Sequence, residues 1–193
     1  MNTPAHLIFG ITAFGRKDLQ AVTWAAAAGA LIPDLSLYLL AGVHLMVLGT
    51  DPEVVFGQMY YSENWQRIFR VDNSFVIWGI ALGVAVMAKS RVFIALTGAA
   101  LLHLLFDFLL HNDDARAHFW PVTNWKFISP VSYWDRDYYG HIVAPIEALA
   151  VLVCCGVLWR RYQDGRIMRV LVSGFAALQL APVLMWVFFF NDG

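Results

Sequence analysis

Residues 91–111 read as one apolar helix with three ionisable side chains stacked along it. His103, Asp107 and His111 are each four residues apart in Ala-Leu-Leu-His-Leu-Leu-Phe-Asp-Phe-Leu-Leu-His, a spacing that places all three on one face. The residues between them are Leu and Phe, which suit lipid or a packed core. A carboxylate and two imidazoles in that setting are costly, so each needs a partner. A His–Asp pair that only ties helices together is the plain reading of such a feature. Three groups in register favour a functional site, and His with Asp on one helical face is a common donor set for a divalent metal.

The rest of the composition agrees with a membrane setting. Apolar residues make up 60% of the 193 and charged residues only 14%, with a mean hydropathy of +0.60, unlike a soluble globular domain. A formal net charge of −1 and the lack of a basic face give no nucleic-acid footprint. Cys154 and Cys155 are adjacent in an apolar run, where neighbouring helical positions point apart and a structural disulfide is not expected. Met1-Asn2-Thr3-Pro4 has neither the basic start nor the cleavage pattern of a signal peptide.

The expected fold is all-α: a polytopic helical bundle forming one integral membrane domain over residues 1–193. It would have about five transmembrane helices, a short N-terminal helix and an interfacial helix. Residues 4–15 form the short helix, with Thr3 as N-cap and Pro4 at the first helical position. Residues 20–48 form a span that Pro33-Asp34 should kink or break. Residues 53–70 mix aromatic, apolar and charged positions as an interfacial helix does. Further spans are expected at about 71–88, 91–111, 142–160 and 167–190, each near the ~20 residues that cross a bilayer.

Positive charge sets the expected orientation. Arg16 and Lys17, Lys89 and Arg91, and Arg160, Arg161, Arg166 and Arg169 hold eight of the 13 Lys and Arg. Alternating spans put these three junctions on one side, the cytoplasm. Segments 51–72 and 112–140 then face the periplasm of a Gram-negative cell, so the protein is expected in the bacterial inner membrane.

Four stretches bring polar chemistry toward that outer half. His6 sits in the first turn of the short helix, where a solvated interfacial histidine is the simple alternative. Pro33-Asp34 adds a carboxylate beside irregular backbone, which at membrane depth must be buried or line a wet cavity. Asp72, Asn73 and Ser74 are good N-caps as well as oxygen donors. The fourth stretch is the His103/Asp107/His111 helix with Asn112 through Pro121, including His118. His141 and Glu147 follow, six residues apart and off a common face, and Glu147 would suit a helix N-terminus.

A Gly/Ala-His-Leu-type start, a Leu/Ile-Pro-Asp motif, a His-x-x-x-Asp helix and a following Trp-Pro occur here as His6, Pro33-Asp34, His103 with Asp107, and Trp120-Pro121. In order and spacing over residues 3–121 this resembles bacterial inner-membrane metal-dependent hydrolases, including the LexA-regulated membrane proteins. The family's His-Arg-Gly-x-Thr-His-Ser element corresponds to Phe69-Arg70-Val71-Asp72-Asn73-Ser74, which lacks both histidines. Metal binding then falls to oxygen ligands, to His111 and His118, or is lost. The Asn-Thr-Pro-Ala-His-Leu and Ser-Tyr-Trp-Asp segments also resemble chains labelled as cobalamin-biosynthesis (cobyric acid synthase-like) proteins. For that chemistry the residues offer neither a Gly-x-x-x-x-Gly-Lys loop nor a nucleophilic cysteine setting.

The resemblance implies metal-dependent hydrolysis and supports His103 and Asp107 most directly. As an enzyme the chain would hold a divalent metal, zinc first for a mixed His/Asp set, on His6, Asp34, His103 and Asp107, with His111, its own addition, as a fifth ligand or a neighbour to them. Asp72, His118 or His141 would act as general base. A lipid or lipid-linked phosphoester at the periplasmic membrane surface is the expected substrate. A rival reading is a non-catalytic membrane scaffold that meets a membrane-protein partner through the aromatic 119–139 loop, which carries Phe119, Trp120, Trp125, Phe127, Tyr133, Trp134, Tyr138 and Tyr139. Proton or ion transport along the His/Asp line is a third, though no second half repeats the pattern.

Overall fold

Proline lacks an N–H, so it is at home in the first turn of a helix, and α1 (Thr3–Phe14) carries Pro4 there. The cap position is Asn2, not Thr3 as expected, and its side chain caps nothing. The Thr3 hydroxyl is used elsewhere, as described below. The computed structural model describes the backbone of residues 1–189 and the side chains of residues 1–179. All regular elements among the described residues are helical.

α2 (Gln20–Gly42) passes through Pro33 without the expected break and ends in a π-type turn at Val43–Val47. Backbone oxygens around the proline find partners on other elements. Ala30 O accepts from His103 Nδ1 at 2.7 Å and Pro33 O accepts from Asn73 Nδ2 at 3.1 Å. Neighbouring elements thus satisfy polar backbone that a proline disturbs inside a membrane.

The expected interfacial helix at 53–70 is instead a set of shorter pieces. α3 (Pro52–Val54) is capped by Asp51 and runs into a π-type turn at Val55–Met59, and α4 (Glu63–Asp72) is capped by Ser62. α4 is amphipathic: Trp65, Gln66 and Phe69 are buried, while Glu63 pairs with Arg67 and Arg70 on the outer face. The expected span at 71–88 starts later, as α5 (Phe75–Met87), because Ser74 caps a new helix by accepting from Ile77 N–H. α6 (Arg91–Leu110) is capped by Ser90; α7 (Gly140–Arg161) and α8 (Arg166–Phe189) follow.

Among the described residues four stretches are long and apolar enough to cross a membrane: Gln20–Val47, Glu63–Met87, Arg91–Leu110 and Gly140–Arg161. The second joins α4 and α5 across the Asn73–Ser74 step. The expected fifth span, 167–190, coincides with α8, but its residues beyond 179 lie outside the described side chains.

Small residues bring the central helices together, as they do in membrane bundles. Ala26 and Ala30 of α2 pack on Ala95 and Ala99 of α6. A Cβ on Gly29 would stand 1.9 Å from the Leu96 carbonyl oxygen, so only glycine fits there. α1 lies against α2, α6, α7 and α8. Its last carbonyls are satisfied by Arg161 of α7, whose Nη1 donates to Thr12 O at 2.9 Å and Gly15 O at 3.1 Å.

The three basic junctions meet at one end of the bundle. Lys17 pairs with Asp164 at 2.5 Å, Arg161 reaches Gly15, and Arg16 and Arg91 line one surface hollow. α1 runs toward that end and α6 away from it, and their polar residues gather toward the other.

Candidate metal centre

Three helices deliver the cluster. α6 carries His103 and Asp107 one turn apart, with His111 at its C-cap; α1 brings His6 and α2 brings Asp34. Asp107 is the hub and is 2% exposed. Its Oδ1 lies 2.9 Å from His6 Nε2 and 3.0 Å from His111 Nε2, and its Oδ2 lies 3.0 Å from His103 Nε2. Asp34 Oδ1 is 3.6 Å from the same His103 nitrogen. The Met1 amine nitrogen fills one corner, 3.1 Å from Asp107 Oδ1 and 3.0 Å from His111 Nε2. One donor atom each from His6, His103 and Asp107 lie within 4.8 Å of one another. Of the five metal-ligand candidates these three form the mutual group; His111 touches it through Asp107 and Asp34 through His103.

The hydrogen bonding around His103 decides how this cluster can be charged. Its Nδ1 faces the Ala30 carbonyl, which can only accept, so the N–H must be on Nδ1. In the neutral ring Nε2 is then a lone pair, aimed at the carboxylates of Asp107 and Asp34. Acceptor faces acceptor, and only a proton or another cation between them resolves the conflict. His6 lies flat on His103, with ring centroids 3.6 Å apart and planes 9° from parallel. Two imidazolium rings so stacked would repel each other. His6 Nδ1 is buried without a partner. His103, held through Nδ1 by a backbone carbonyl, has the outer hydrogen bond that orients a metal-ligating imidazole.

A polar network orients the carboxylates. The Tyr38 hydroxyl, 2.5 Å from Thr3 Oγ1, donates to it, and Thr3 donates to Asp34 Oδ2 at 2.6 Å. His111 Nδ1 lies 2.7 Å from Asp114 Oδ2. Burial would raise the Asp114 carboxyl, but the neighbouring His111 and Arg116 outweigh it and hold the group below the usual range. Beside the cluster opens a cavity of about 400 Å³, lined by Thr3, Asp34, Tyr60, His111, Asp114, Arg116 and Tyr133 among others.

The expected general bases stand apart from this cavity. Asp72 is the last residue of α4, half-buried, with its backbone oxygen accepting from Trp78 Nε1 at 2.7 Å. His118 is buried against Phe75 and Phe108 and donates from Nδ1 to Asn73 O at 2.9 Å. His141 is exposed in the first turn of α7. None of the three lines the cavity. Glu147, expected at a helix N-terminus, lies two turns inside α7 instead. Its Oε1 accepts from Asn2 Nδ2 at 3.0 Å and Gln179 Nε2 at 2.9 Å, so it ties the start of α1 to α7 and α8.

Thr3, Tyr60, Asp114, Arg116 and Tyr133 join the site without having been picked out as site residues. The one local signal was Ala115-Arg116-Ala117, a charge between small residues; all three are buried. Comparison of the chain with family models, curated proteins and solved structures returns no match.

Proposed function

We propose that the His6/Asp34/His103/Asp107/His111 cluster holds a divalent metal, zinc first, and that the protein is a metal-dependent hydrolase of the bacterial inner membrane. Its substrate in this reading is a lipid or lipid-linked phosphoester reached from the periplasmic side, and α8 completes a bundle of five spans. The observation that carries the reading is the position of His103 Nε2, 3.0 Å from Asp107 Oδ2 and 3.6 Å from Asp34 Oδ1 with Nδ1 committed to the Ala30 carbonyl, which calls for a cation between nitrogen and carboxylates.

A zinc ion there would polarise a phosphoryl oxygen and lower the pKa of a bound water. The chain's own part is to orient and to move protons. The Tyr38–Thr3–Asp34 relay fixes one carboxylate, and the Ala30 carbonyl fixes the His103 tautomer. Asp114 lines the cavity outside the ligand set, so it is the proton acceptor in preference to Asp72, His118 or His141. Elemental analysis of the purified protein tests the reading. The expected result is one metal per chain, lost in Asp107→Ala while the helical signal is kept. A metal-free wild-type protein overturns it.

A scaffold role has one observation in its favour. Trp125, Trp134 and Tyr139 of the aromatic loop are each more than half exposed, as residues awaiting a membrane interface or a partner would be. Unaltered cellular phenotypes in an Asp107→Asn strain, with a stoichiometric partner recovered through the loop, would decide for it.

A further inference from the structure

Arg116 is the charge that the cluster does not use. It is 4% exposed, and its guanidinium carbon lies 4.5 Å from the centre of the Phe69 ring and 5.5 Å from that of Tyr60. Among the described residues it makes no ion pair, and its Nε and Nη1 are buried with no hydrogen-bond partner. A guanidinium carries five N–H donors in a rigid fork, and burying it unpaired is expensive.

The nearby carboxylates do not meet it. Asp34 accepts from Thr3, Asp107 is surrounded by the histidines and the Met1 amine, and Asp114 Oδ2 lies 2.7 Å from His111 Nδ1 while its Oδ1 has no hydrogen-bond partner. Burial works against the charge, yet Tyr60 and the carboxylates around it keep the group protonated. The ring faces of Phe69 and Tyr60 hold the guanidinium plane as cation–π partners. What remains is a cationic side chain on the wall of the 400 Å³ cavity, which His111 and Asp114 also line.

We infer that Arg116 is the anion-binding residue of this cavity and takes the phosphoryl group of a phosphate monoester, carried on a membrane lipid. Planar forks grip phosphate and carboxylate oxygens two at a time. A phosphate monoester has a third terminal oxygen left for a cation at Asp107; a carboxylate gripped through both oxygens does not. The inference rests on the metal reading in one respect only: a cation there offsets the negative charge of Asp34, Asp107 and Asp114 that an incoming anion would meet.

The test is calorimetric titration of inorganic phosphate into the purified full chain, with and without prior chelation, for wild type, Arg116→Gln and Arg116→Lys. Metal content is measured on each sample. The expected result is at least a tenfold loss of phosphate affinity in both variants with metal content unchanged. The melting temperature of the wild type should rise with phosphate, because a ligand that binds only the folded state stabilises it; this readout stands even if a variant fails to fold. Equal phosphate affinity in wild type and Arg116→Gln overturns the inference, as does a wild-type protein that phosphate neither binds nor stabilises. Acetate that competes as well as phosphate overturns the phosphoryl assignment.

Nanodiscs containing phosphatidic acid should weaken the apparent affinity for inorganic phosphate, and phosphatidylcholine nanodiscs should not. If both behave alike, the lipid source is overturned and a soluble phosphate ester takes its place. A metal-loaded protein blind to phosphate overturns this inference alone. A metal-free protein that binds phosphate through Arg116 overturns the metal reading alone.

Discussion

His103 and His118 are both buried and both donate from Nδ1 to a backbone carbonyl, yet they meet different fates on the other side of the ring. His103 Nε2 faces carboxylates, whereas His118 is enclosed by Phe75 and Phe108. Without a carboxylate beside it, burial pushes the His118 pKa down to about 4. The unfolded chain takes up this proton near pH 6.5 and the folded chain only near 4. Between those values the unfolded state binds more protons, so stability rises with pH across the window and is lost on acidification. A shift of that size corresponds to about 3 kcal/mol. Unfolding in mild detergent from pH 7.5 to 4.5 should show the loss, and His118→Gln, which keeps a donor for Asn73 O, should flatten the curve. An unchanged slope in the variant would reject the assignment.

Among elements, the α2–α6 contact controls the site, because Ala30 and Asp34 face His103 across it. Gly29 makes that approach possible. Gly29→Ala would drive a Cβ into the Leu96 backbone, and forcing that pair apart should cost on the order of 1–3 kcal/mol or more. The same displacement would pull Ala30 O from His103 and lower metal content. Gly83→Ala on α5 meets nothing within 4 Å and serves as the matched control. Thermal melts and elemental analysis of the two variants check this, and equal behaviour would show that the close approach is not limiting. The i, i+4 stripe was legible because helical period alone puts His103, Asp107 and His111 on one face. His6 and Asp34 were legible as costly polar groups in apolar helices. The continuity of α2 was not, since the oxygens around Pro33 are satisfied by His103 and Asn73, residues 73 and 40 positions away. Arg116 escaped for a related reason: only the folded loop shows that no carboxylate reaches it.

At the scale of the molecule, polarity is segregated along the bundle. Arg16, Lys17, Arg91, Arg161 and Asp164 surround one end. The aromatic loop and the cavity with His111, Asp114 and Arg116 follow the far end of α6. α6 rises about 1.5 Å per residue, so Asp107 stands roughly 24 Å from the basic end, most of the way across a hydrocarbon core of ~30 Å. A substrate headgroup could reach Asp107 from the far surface but not from the basic one. In the orientation we propose from the excess of Lys and Arg, the basic end faces the cytoplasm. Single cysteines at Thr123 and Lys89, placed in a Cys154→Ala, Cys155→Ala background, test that assignment in spheroplasts of a Gram-negative host. A membrane-impermeant maleimide should label position 123 in intact spheroplasts and position 89 only after lysis. The reverse pattern would turn the cavity toward the cytoplasm and remove the periplasmic substrate from consideration, while leaving the metal site and the Arg116 fork as they stand.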